Sequence, residues 1–289
     1  MSERDPQDIT PEELLEQAKT YWRQNDAYQA VKILRKLVKD RPSWATPNYW
    51  LAKIYKQRRE WKPCLHYSQR AVECDPKELE CWEWMGLAAA ALGRWPMARK
   101  AWMKLGFPYS LQEGIAEPQL GGIVVCLNEK TRPEIVWANR MDPARARLES
   151  VPQPSSGFHH QDILLIERAE NMHHILGTHK IPVFRVIERL KDSRIPTFSV
   201  ELHTQENSEV QLLAHLCHQQ RLGFDNWSMA NRQMSIRQNE QINYYKMETE
   251  PSGSTTLIGL AARKKVTIHK VLQEWKSLTN KSVGFLRRH

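Results

Sequence analysis

The sequence lacks the features that mark a membrane-spanning or secreted chain. Its longest apolar run, Leu87–Leu92, is far shorter than the roughly 20 residues that cross a bilayer. The N-terminus, Met1–Asp5, is polar and of mixed charge, and no apolar signal region follows it. The five cysteines form no paired pattern, which is typical of reduced thiols in a reducing compartment. We therefore expect a soluble cytoplasmic protein.

The sequence also lacks the common motifs of enzymes. With only 12 glycines, it has no phosphate-cradling glycine loop, no paired-histidine zinc-protease motif and no Gly-x-Ser-x-Gly nucleophile elbow. These absences favour a non-enzymatic protein, for which we predict no catalytic residue and no cofactor.

Charge of one sign is not concentrated in any one stretch. The formal net charge is +9, with 19 basic and 16 acidic residues in 1–120 and 23 basic and 17 acidic residues in 121–289. A surplus spread in this way indicates a mild preference for acidic partners. It is unlike the dense Lys/Arg stripe of a dedicated nucleic-acid binder.

What the N-terminal third does contain is a repeat of 34 residues. Tyr21 returns as Tyr55, and Pro42 returns as Pro76. A period of this size is typical of helical-repeat arrays. Thr10 followed by Pro11 is a helix start, and the pattern predicts six helices in three antiparallel pairs over about 11–41, 45–75 and 79–106.

This pattern resembles the tetratricopeptide repeat (TPR) family over residues 10–108. The residues that carry the resemblance are Leu14, Ala18, Tyr21, Ala30, Leu34 and Pro42; Leu51, Ala52, Tyr55, Cys64, Ala71 and Pro76; and Trp82, Met85, Gly86, Ala89, Ala98 and Trp102. The resemblance implies a superhelix whose concave groove, lined by the first helix of each pair, binds a peptide. The positions from which the family builds this face fall here on Leu15, Lys19, Trp22, Arg23, Tyr49, Lys53, Lys56, Glu80, Glu83 and Leu87. Of these we predict Lys19, Trp22, Arg23, Tyr49, Lys53 and Lys56 as the peptide contacts.

Lysines beside aromatic residues suit an extended peptide with acidic side chains, so the leading hypothesis is a non-enzymatic adaptor. The TPR subclass that binds chaperone tails uses basic and amide residues to clamp a terminal carboxylate. Three of those positions are Leu15, Glu80 and Trp84 here, so the resemblance does not extend to that subclass.

After the repeats the periodicity changes. Residues 1–9 read as a flexible N-terminus and 107–120 as a linker rich in proline and glycine. Strand-like segments at about 123–127, 134–138, 144–151, 163–166 and 183–187 then predict a small β-barrel or curled sheet over 121–192.

Residues 193–289 predict a β-α-β-β-α-β order. The expected elements are a strand at 197–202, a helix from Ser208, a hairpin of 242–249 with 255–262, a helix at 266–278 and a strand at 283–286. This order is the ferredoxin-like arrangement. No family resemblance is identified for 121–289.

Three further hypotheses concern chemistry in this C-terminal part. The alternative function is nucleic-acid association, for which the candidate residues are Arg145, Arg147, Arg263, Lys264, Lys265 and Arg287. Phe198, Tyr244 and Tyr245 are then candidates to stack on RNA bases, although the usual RNA-binding sheet signature is missing. A metal-dependent or hydrolytic activity of the β-rich region, with a metal site among the histidines of 159–179, is less favoured, because adjacent histidines on a strand face opposite ways. Cys217 is interpreted as a structural thiol rather than a nucleophile.

Overall fold

The computed structural model describes residues 9–109, 120–176, 179–228, 244–245 and 254–289. Contacts between Cα atoms divide the chain into two compact units, Met1–Pro118 and Gln119–His289. Each helix that the structure describes is too short or too polar to cross a membrane.

The first unit contains three pairs of antiparallel helices, as the 34-residue repeat predicts. The helices are α1 (Pro11–Arg23), α2 (Ala27–Asp40), α3 (Ala45–Gln57), α4 (Trp61–Cys74), α5 (Leu79–Ala91) and α6 (Trp95–Lys104). The expectation of TPR-like helical repeats is therefore confirmed.

Caps and small residues explain why these helices form and pack closely. Thr10 and Glu13 form a reciprocal capping box at the start of α1, which satisfies two backbone N–H groups that a helix end leaves unpaired. Ala18, Ala52 and Gly86 recur once per pair and are all buried. At Gly86 an added Cβ would lie 2.6 Å from Trp102 Nε1, so the close approach of α5 and α6 requires glycine at that position.

The second unit begins with a closed five-stranded barrel, which confirms the predicted β-rich region. Its strands are β1 (Gly122–Leu127), β2 (Glu134–Asp142), β3 (Arg145–Leu148), β4 (Ile163–Leu176) and β5 (His179–Lys191). Consecutive strands pair antiparallel, and β1 and β5 pair parallel to close the ring. The parallel pair is a geometric consequence of closing an odd number of alternating strands.

The barrel encloses a core of alternating residues. Ile123, Val125 and Leu127 of β1 point inward with Val136 and Leu148, and all are buried. Val124 and Cys126, the residues between them, are also buried, in a cluster with Val183. Both faces of β1 are thus covered.

The rest of the second unit is a four-stranded antiparallel sheet with two helices on one face. Its elements are β6 (Thr197–Leu202), α7 (Asn207–Gln219), β7 (Gly223–Asn226), β9 (Thr256–Ala261), α8 (Lys265–Thr279) and β10 (Arg287–Arg288). The spatial order is β10-β6-β9-β7. Phe198, Val200 and Ile258 of the sheet pack with Leu213 of α7 and Trp275 of α8 in one core.

The predicted hairpin of 242–249 with 255–262 is wrong. Strand β9 pairs instead with β6 and with Gly223–Asn226, a segment without β-branched residues and therefore with little strand signal in the sequence. Strand β8 (Tyr244–Tyr245) pairs parallel with β4 in the barrel sheet. The other residues of the expected strand, 242–243 and 246–249, lie outside the described residues.

Side-chain contacts join the barrel to the four-stranded sheet within the second unit. The indole Nε1 of Trp227 donates a hydrogen bond to Val151 O (2.9 Å), and Val151 N donates to Asp225 Oδ2 (3.1 Å). Val151, Ile195, Trp227 and Ala261 form a small buried cluster there. The division of this unit into modules 121–192 and 193–289 stays a prediction.

Candidate functional site

Three aromatic rings meet on the first helices of the second and third repeats. Tyr49 and Trp50 lie on α3 with ring centroids 5.9 Å apart, and Tyr49 lies 5.0 Å from the ring of Trp84 on α5. The hydroxyl of Tyr49 also donates a hydrogen bond to Glu80 Oε2, which links α3 to α5. Burial raises the pKa of Tyr49, and the neighbouring carboxylate of Glu80 raises it further. Tyr49 is therefore a protonated donor at neutral pH.

Two lysines from different helices lie over these rings. Lys53 Nζ is 5.1 Å from the centroid of Trp50 and 5.6 Å from that of Tyr49. Lys19 Nζ, on α1, is 5.7 Å from the centroid of Trp50 and forms a 2.7 Å ion pair with Glu16. We call Lys19, Tyr49, Trp50, Lys53 and Trp84 the groove cluster. Cation–π contacts of this kind are worth about 0.5–1 kcal/mol at exposed sites, so they hold the ammonium groups in place.

The structure thus brings three of the six predicted groove residues together around Trp50. The other three lie in the last turns of the same helices: Trp22 and Arg23 end α1, and Lys56 is near the end of α3. Arg23 is exposed, whereas Trp22 and Lys56 are half-buried.

Trp50, the ring that contacts Lys19, Tyr49 and Lys53, is not among the six residues predicted from the sequence. It directly follows Tyr49 and returns as Trp84 after 34 residues. The repeat itself therefore contained the signal, because equivalent positions of stacked repeats lie beside one another.

Charge changes sign along these helices. The first two repeats contribute Lys19, Arg23, Lys53 and Lys56, whereas α5 contributes the exposed carboxylates Glu80 and Glu83. The first half of α1 carries Glu12, Glu13 and Glu16, so an acidic ligand is attracted only to the C-terminal halves of α1 and α3 and is repelled by α5.

The positions that a chaperone-tail clamp would use are occupied by unsuitable side chains. Leu15 is 6% exposed and Trp84 is 8% exposed, so both are part of the core. Glu80 carries the wrong charge to hold a carboxylate and accepts the hydrogen bond of Tyr49.

One group of possible metal ligands exists among the described residues, formed by His159, Asp162 and Asp192. Their ligand atoms lie within 4.8 Å of one another. However, the buried carboxylate of Asp162 already accepts hydrogen bonds from His159 N (2.9 Å), Ser193 N (2.8 Å) and Arg189 Nη1 (3.3 Å). Asp192 Oδ1 likewise lies 3.1 Å from His159 Nδ1 and accepts from Arg194 N (2.9 Å). Protein donors, one of them a guanidinium, therefore already pair with these oxygens in a hydrogen-bonded junction.

Two other candidate reactive groups in the second unit, His174 and Cys217, are buried. His174 is 7% exposed, and burial lowers its pKa. The side chain of His179 lies outside the described residues. Cys217 is fully buried in the core under α7, and desolvation raises its thiol pKa to about 12. A thiol with this pKa is not a nucleophile at neutral pH.

The predicted nucleic-acid residues fall into two separate sets. Arg145 and Arg147 lie on β3 of the barrel, where Arg145 Nε forms a 2.6 Å ion pair with the buried carboxylate of Asp142. Arg263, Lys264, Lys265 and Arg287 are exposed on the four-stranded sheet region.

The aromatic residues proposed to stack on RNA are not on that sheet's open face. Phe198 is 2% exposed and packs under the helices, so its predicted stacking role is wrong. Tyr244 and Tyr245 belong to β8 of the barrel sheet.

Comparison with solved structures finds helical-repeat proteins. A crystal structure of MamA is 24% identical and covers 33% of this chain and 56% of the MamA chain, with a TM-score of 0.31. The second TPR of Spaghetti (RPAP3), bound to the HSP90 peptide SRMEEVD, is 12% identical over 33% of this chain and 88% of its own, with a TM-score of 0.31. The first TPR of the same protein, with the same peptide, is 18% identical over 33% and 75%, also with a TM-score of 0.31.

This chain spans little more than half the length of the MamA chain that it matches. No protein-family model and no curated protein sequence matches it.

Proposed function

We propose that this protein is a non-enzymatic adaptor that binds an acidic, extended segment of a partner protein in the groove of its TPR-like repeats. The observation that carries the proposal is the groove cluster, in which Lys19 and Lys53 from two different helices both lie over the ring of Trp50.

The physical basis is a division of roles between the rings and the ammonium groups. The half-buried rings of Tyr49 and Trp50 supply rigid contact area, which is typical of residues that dominate binding energy, and the buried Trp84 supports them from below. The lysines supply steering and charge pairing with carboxylates. Because Lys19 and Lys53 are both half-buried against the rings, they are already ordered, and binding loses less side-chain entropy.

The test is a charge reversal in the groove. Lys19→Glu together with Lys53→Glu should lower binding of acidic peptides by at least about tenfold, which corresponds to about 1.4 kcal/mol. Peptide affinity is measured by fluorescence anisotropy with an array of acidic peptides, and capture of the partner from the native host provides the biological ligand.

The matched control is Lys32→Glu with Lys36→Glu, two exposed lysines of α2, the second helix of the first pair. This control changes the net charge equally and should leave binding unchanged. Equal binding by the groove variant and the wild type, with unaltered thermal unfolding, contradicts the groove assignment.

We also propose that 193–289 forms a ferredoxin-like module. If β6, β7, β9 and β10 are numbered 1 to 4, their order across the sheet is 4-1-3-2, and the order of elements along the chain is β-α-β-β-α-β. An experimental structure of the chain with a different strand order would contradict this. The five free thiols support our further proposal of a cytoplasmic location, which cell fractionation tests.

A second candidate function is nucleic-acid association through the basic residues of this module. It is supported by the exposure of Arg263, Lys264, Lys265 and Arg287, in contrast to the ion-paired Arg145 of the barrel. Binding of the full-length chain to RNA with a steep salt dependence tests it.

A further inference from the structure

Antiparallel pairing brings four chain segments to one end of the four-stranded sheet. Thr197, the first residue of β6, pairs with Ala261, the last residue of β9. Ala261 also pairs with Gly223, the first residue of β7. His289 N, directly after β10, donates a hydrogen bond to Thr197 O (3.0 Å). The starts of β6 and β7 and the ends of β9 and β10 therefore lie side by side.

Each of these four segments carries basic residues at that end. We call them the sheet-end cations: Arg194, Arg221, Arg263, Lys264, Lys265, Arg287 and Arg288. All seven are exposed. Over the described ranges, none of the seven forms a side-chain ion pair. Asp192, two residues before Arg194, is engaged by His159 and by the backbone N–H of Arg194.

Three of these cations do not stabilise the helix end at which they lie. Arg263, Lys264 and Lys265 lie at the N-terminus of α8, which has no acidic residue in its first turn and no side-chain cap. A cation near a helix N-terminus faces the positive end of the helix dipole, which is unfavourable. Helix α1 has the opposite and favourable arrangement, with Glu12 and Glu13 in its first turn. An external anion would offset the cost at α8.

We propose that the sheet-end cations bind the phosphodiester backbone of a nucleic acid. This proposal rests on the second candidate function and deepens it. The binding surface now excludes Arg145 and Arg147 and includes Arg194, Arg221 and Arg288. Five of the seven residues are arginines, whose planar guanidinium groups bind phosphate oxygens in a bidentate manner.

The dimensions of the sheet end suit a polyphosphate. Four neighbouring strands about 4.8 Å apart span about 14 Å, which is long enough to contact several successive phosphates rather than one. A row of cations at this spacing matches a regular polyanion better than a single small anion.

The face of the four-stranded sheet opposite the helices is not open for base-specific contacts. On the face opposite the helices, Gly259 is covered by the indole of Trp227, and Ala261 is buried in the cluster with Val151. Phe198, the candidate stacking residue, lies on the helix side. Since the described strands of this sheet offer no stacking platform, we expect binding through the backbone that is independent of base sequence.

The experiment measures binding of the full-length chain to fluorescent RNA and DNA oligonucleotides of several unrelated sequences, as a function of salt. The main variant replaces Arg263, Lys264, Lys265 and Arg287 by Gln. With a slope of about −0.7 per phosphate contact on a single strand, the dependence of log K on log salt should fall from about −5 to about −2. A milder variant, Arg287→Gln with Arg288→Gln, should reduce the slope by about 1.4 and serves if the main variant does not fold.

The matched control replaces four other exposed cations of the same unit by Gln: Arg147, Lys270, Lys276 and Lys281. It removes the same charge, so unchanged binding by the control and loss by the main variant support the proposal. Comparison of the RNA and DNA arms identifies which backbone is bound.

Three outcomes overturn the proposal. The first is that no oligonucleotide binds the wild type at low salt. The second is that the main variant and the matched control weaken binding equally, which would mean that binding depends only on the net charge of the protein. The third is that polyglutamate or phosphatidylserine vesicles bind as tightly as oligonucleotides at equal salt, which indicates an acidic protein or a membrane. Since the groove lysines are intact in these variants, failure here leaves acidic-peptide binding as a separate and still measurable result.

Discussion

The indole of Trp227 lies directly against Gly259: a Cβ on residue 259 would be 2.2 Å from Trp227 Cε2 and 2.4 Å from Nε1. The same indole donates its N–H to Val151 O of the barrel region. Trp227 thereby covers the open face of β9 and links it to the barrel, and glycine is the residue that leaves room for the ring.

Gly259→Ala should therefore destabilise the second unit. The methyl group meets a rigid ring that is held by its own hydrogen bond, and overpacking of this kind costs about 1–3 kcal/mol. Chemical denaturation followed by tryptophan fluorescence measures the loss. Gly122→Ala is the matched control, because no atom lies within 4 Å of the added Cβ on that β1 glycine. Equal stability of the two variants would show that Trp227 moves away without penalty.

Gly86→Ala sets two effects of opposite sign against each other. Alanine gains about 1 kcal/mol over glycine in a helix interior. The new Cβ, however, would lie 2.6 Å from Trp102 Nε1 and 2.9 Å from Trp102 Cδ1, for which overpacking costs about 1–3 kcal/mol. We expect net destabilisation of the repeats.

A double-mutant cycle with Trp102→Leu tests the cause. If the clash is with this ring, alanine at position 86 should be tolerated once Trp102→Leu has removed the indole, and the two free-energy changes should couple rather than add. Thermal unfolding of the wild type, the two single variants and the double variant measures these changes. Additive free-energy changes would mean that the effect of Gly86→Ala comes from the backbone instead.

His160 should make the stability of the second unit depend on pH. It is 7% exposed, and burial lowers its pKa below the ordinary value of 6.5 despite its contact with Ser150 O. The unfolded state thus binds the proton more tightly. The stability is fully present above about pH 6.5 and is lost as the pH falls through the folded-state pKa.

Thermal unfolding of the wild type and of His160→Gln between pH 7 and pH 5 measures this. The variant should lose less stability than the wild type on acidification. Burial also lowers the pKa of His174, so part of the pH dependence of stability should remain in the variant. His269→Gln, an exposed residue of α8, should leave the wild-type pH profile unchanged. Parallel profiles for wild type and His160→Gln would rule out His160 as the cause.

Thiol labelling should distinguish Cys74 from the other cysteines. Desolvation raises the pKa of Cys64, Cys126 and Cys217 to about 12. At pH 8 only about one in 10⁴ of such thiols is ionised, and the thiolate is the reactive form. Cys74 is half-buried, with its sulfur 3.6 Å from Pro42 O.

Iodoacetamide should therefore modify Cys74 first in the native protein and all five cysteines in urea. Peptide mass spectrometry measures which cysteines carry the label. Early labelling of Cys64 or Cys217 would mean that the repeats or the four-stranded sheet open readily in solution.

The repeat unit was predictable from sequence because its contacts are local. Each helix pairs with the next one along the chain, so the periodic apolar positions, the small residues at 18, 52 and 86 and the cap at Thr10 specify most of the packing. The barrel strands were predictable for a related reason, since alternating residues such as Ile123 and Val125 reveal strands that pair with their sequence neighbours.

Which residues meet across long sequence separations was decided by tertiary structure alone. Nothing local to Gly223–Asn226 marks it as the partner of β9, and its pairing depends on register and on the small Gly223 that packs against the ring of His160. The placement of Lys19 over Trp50 and the gathering of seven cations at one sheet end arise in the same way. Sequence patterns determine which segments become helices and strands, because that choice depends on neighbouring residues. The proposed binding surfaces were decided by strand order and helix stacking, because these alone bring distant side chains close together.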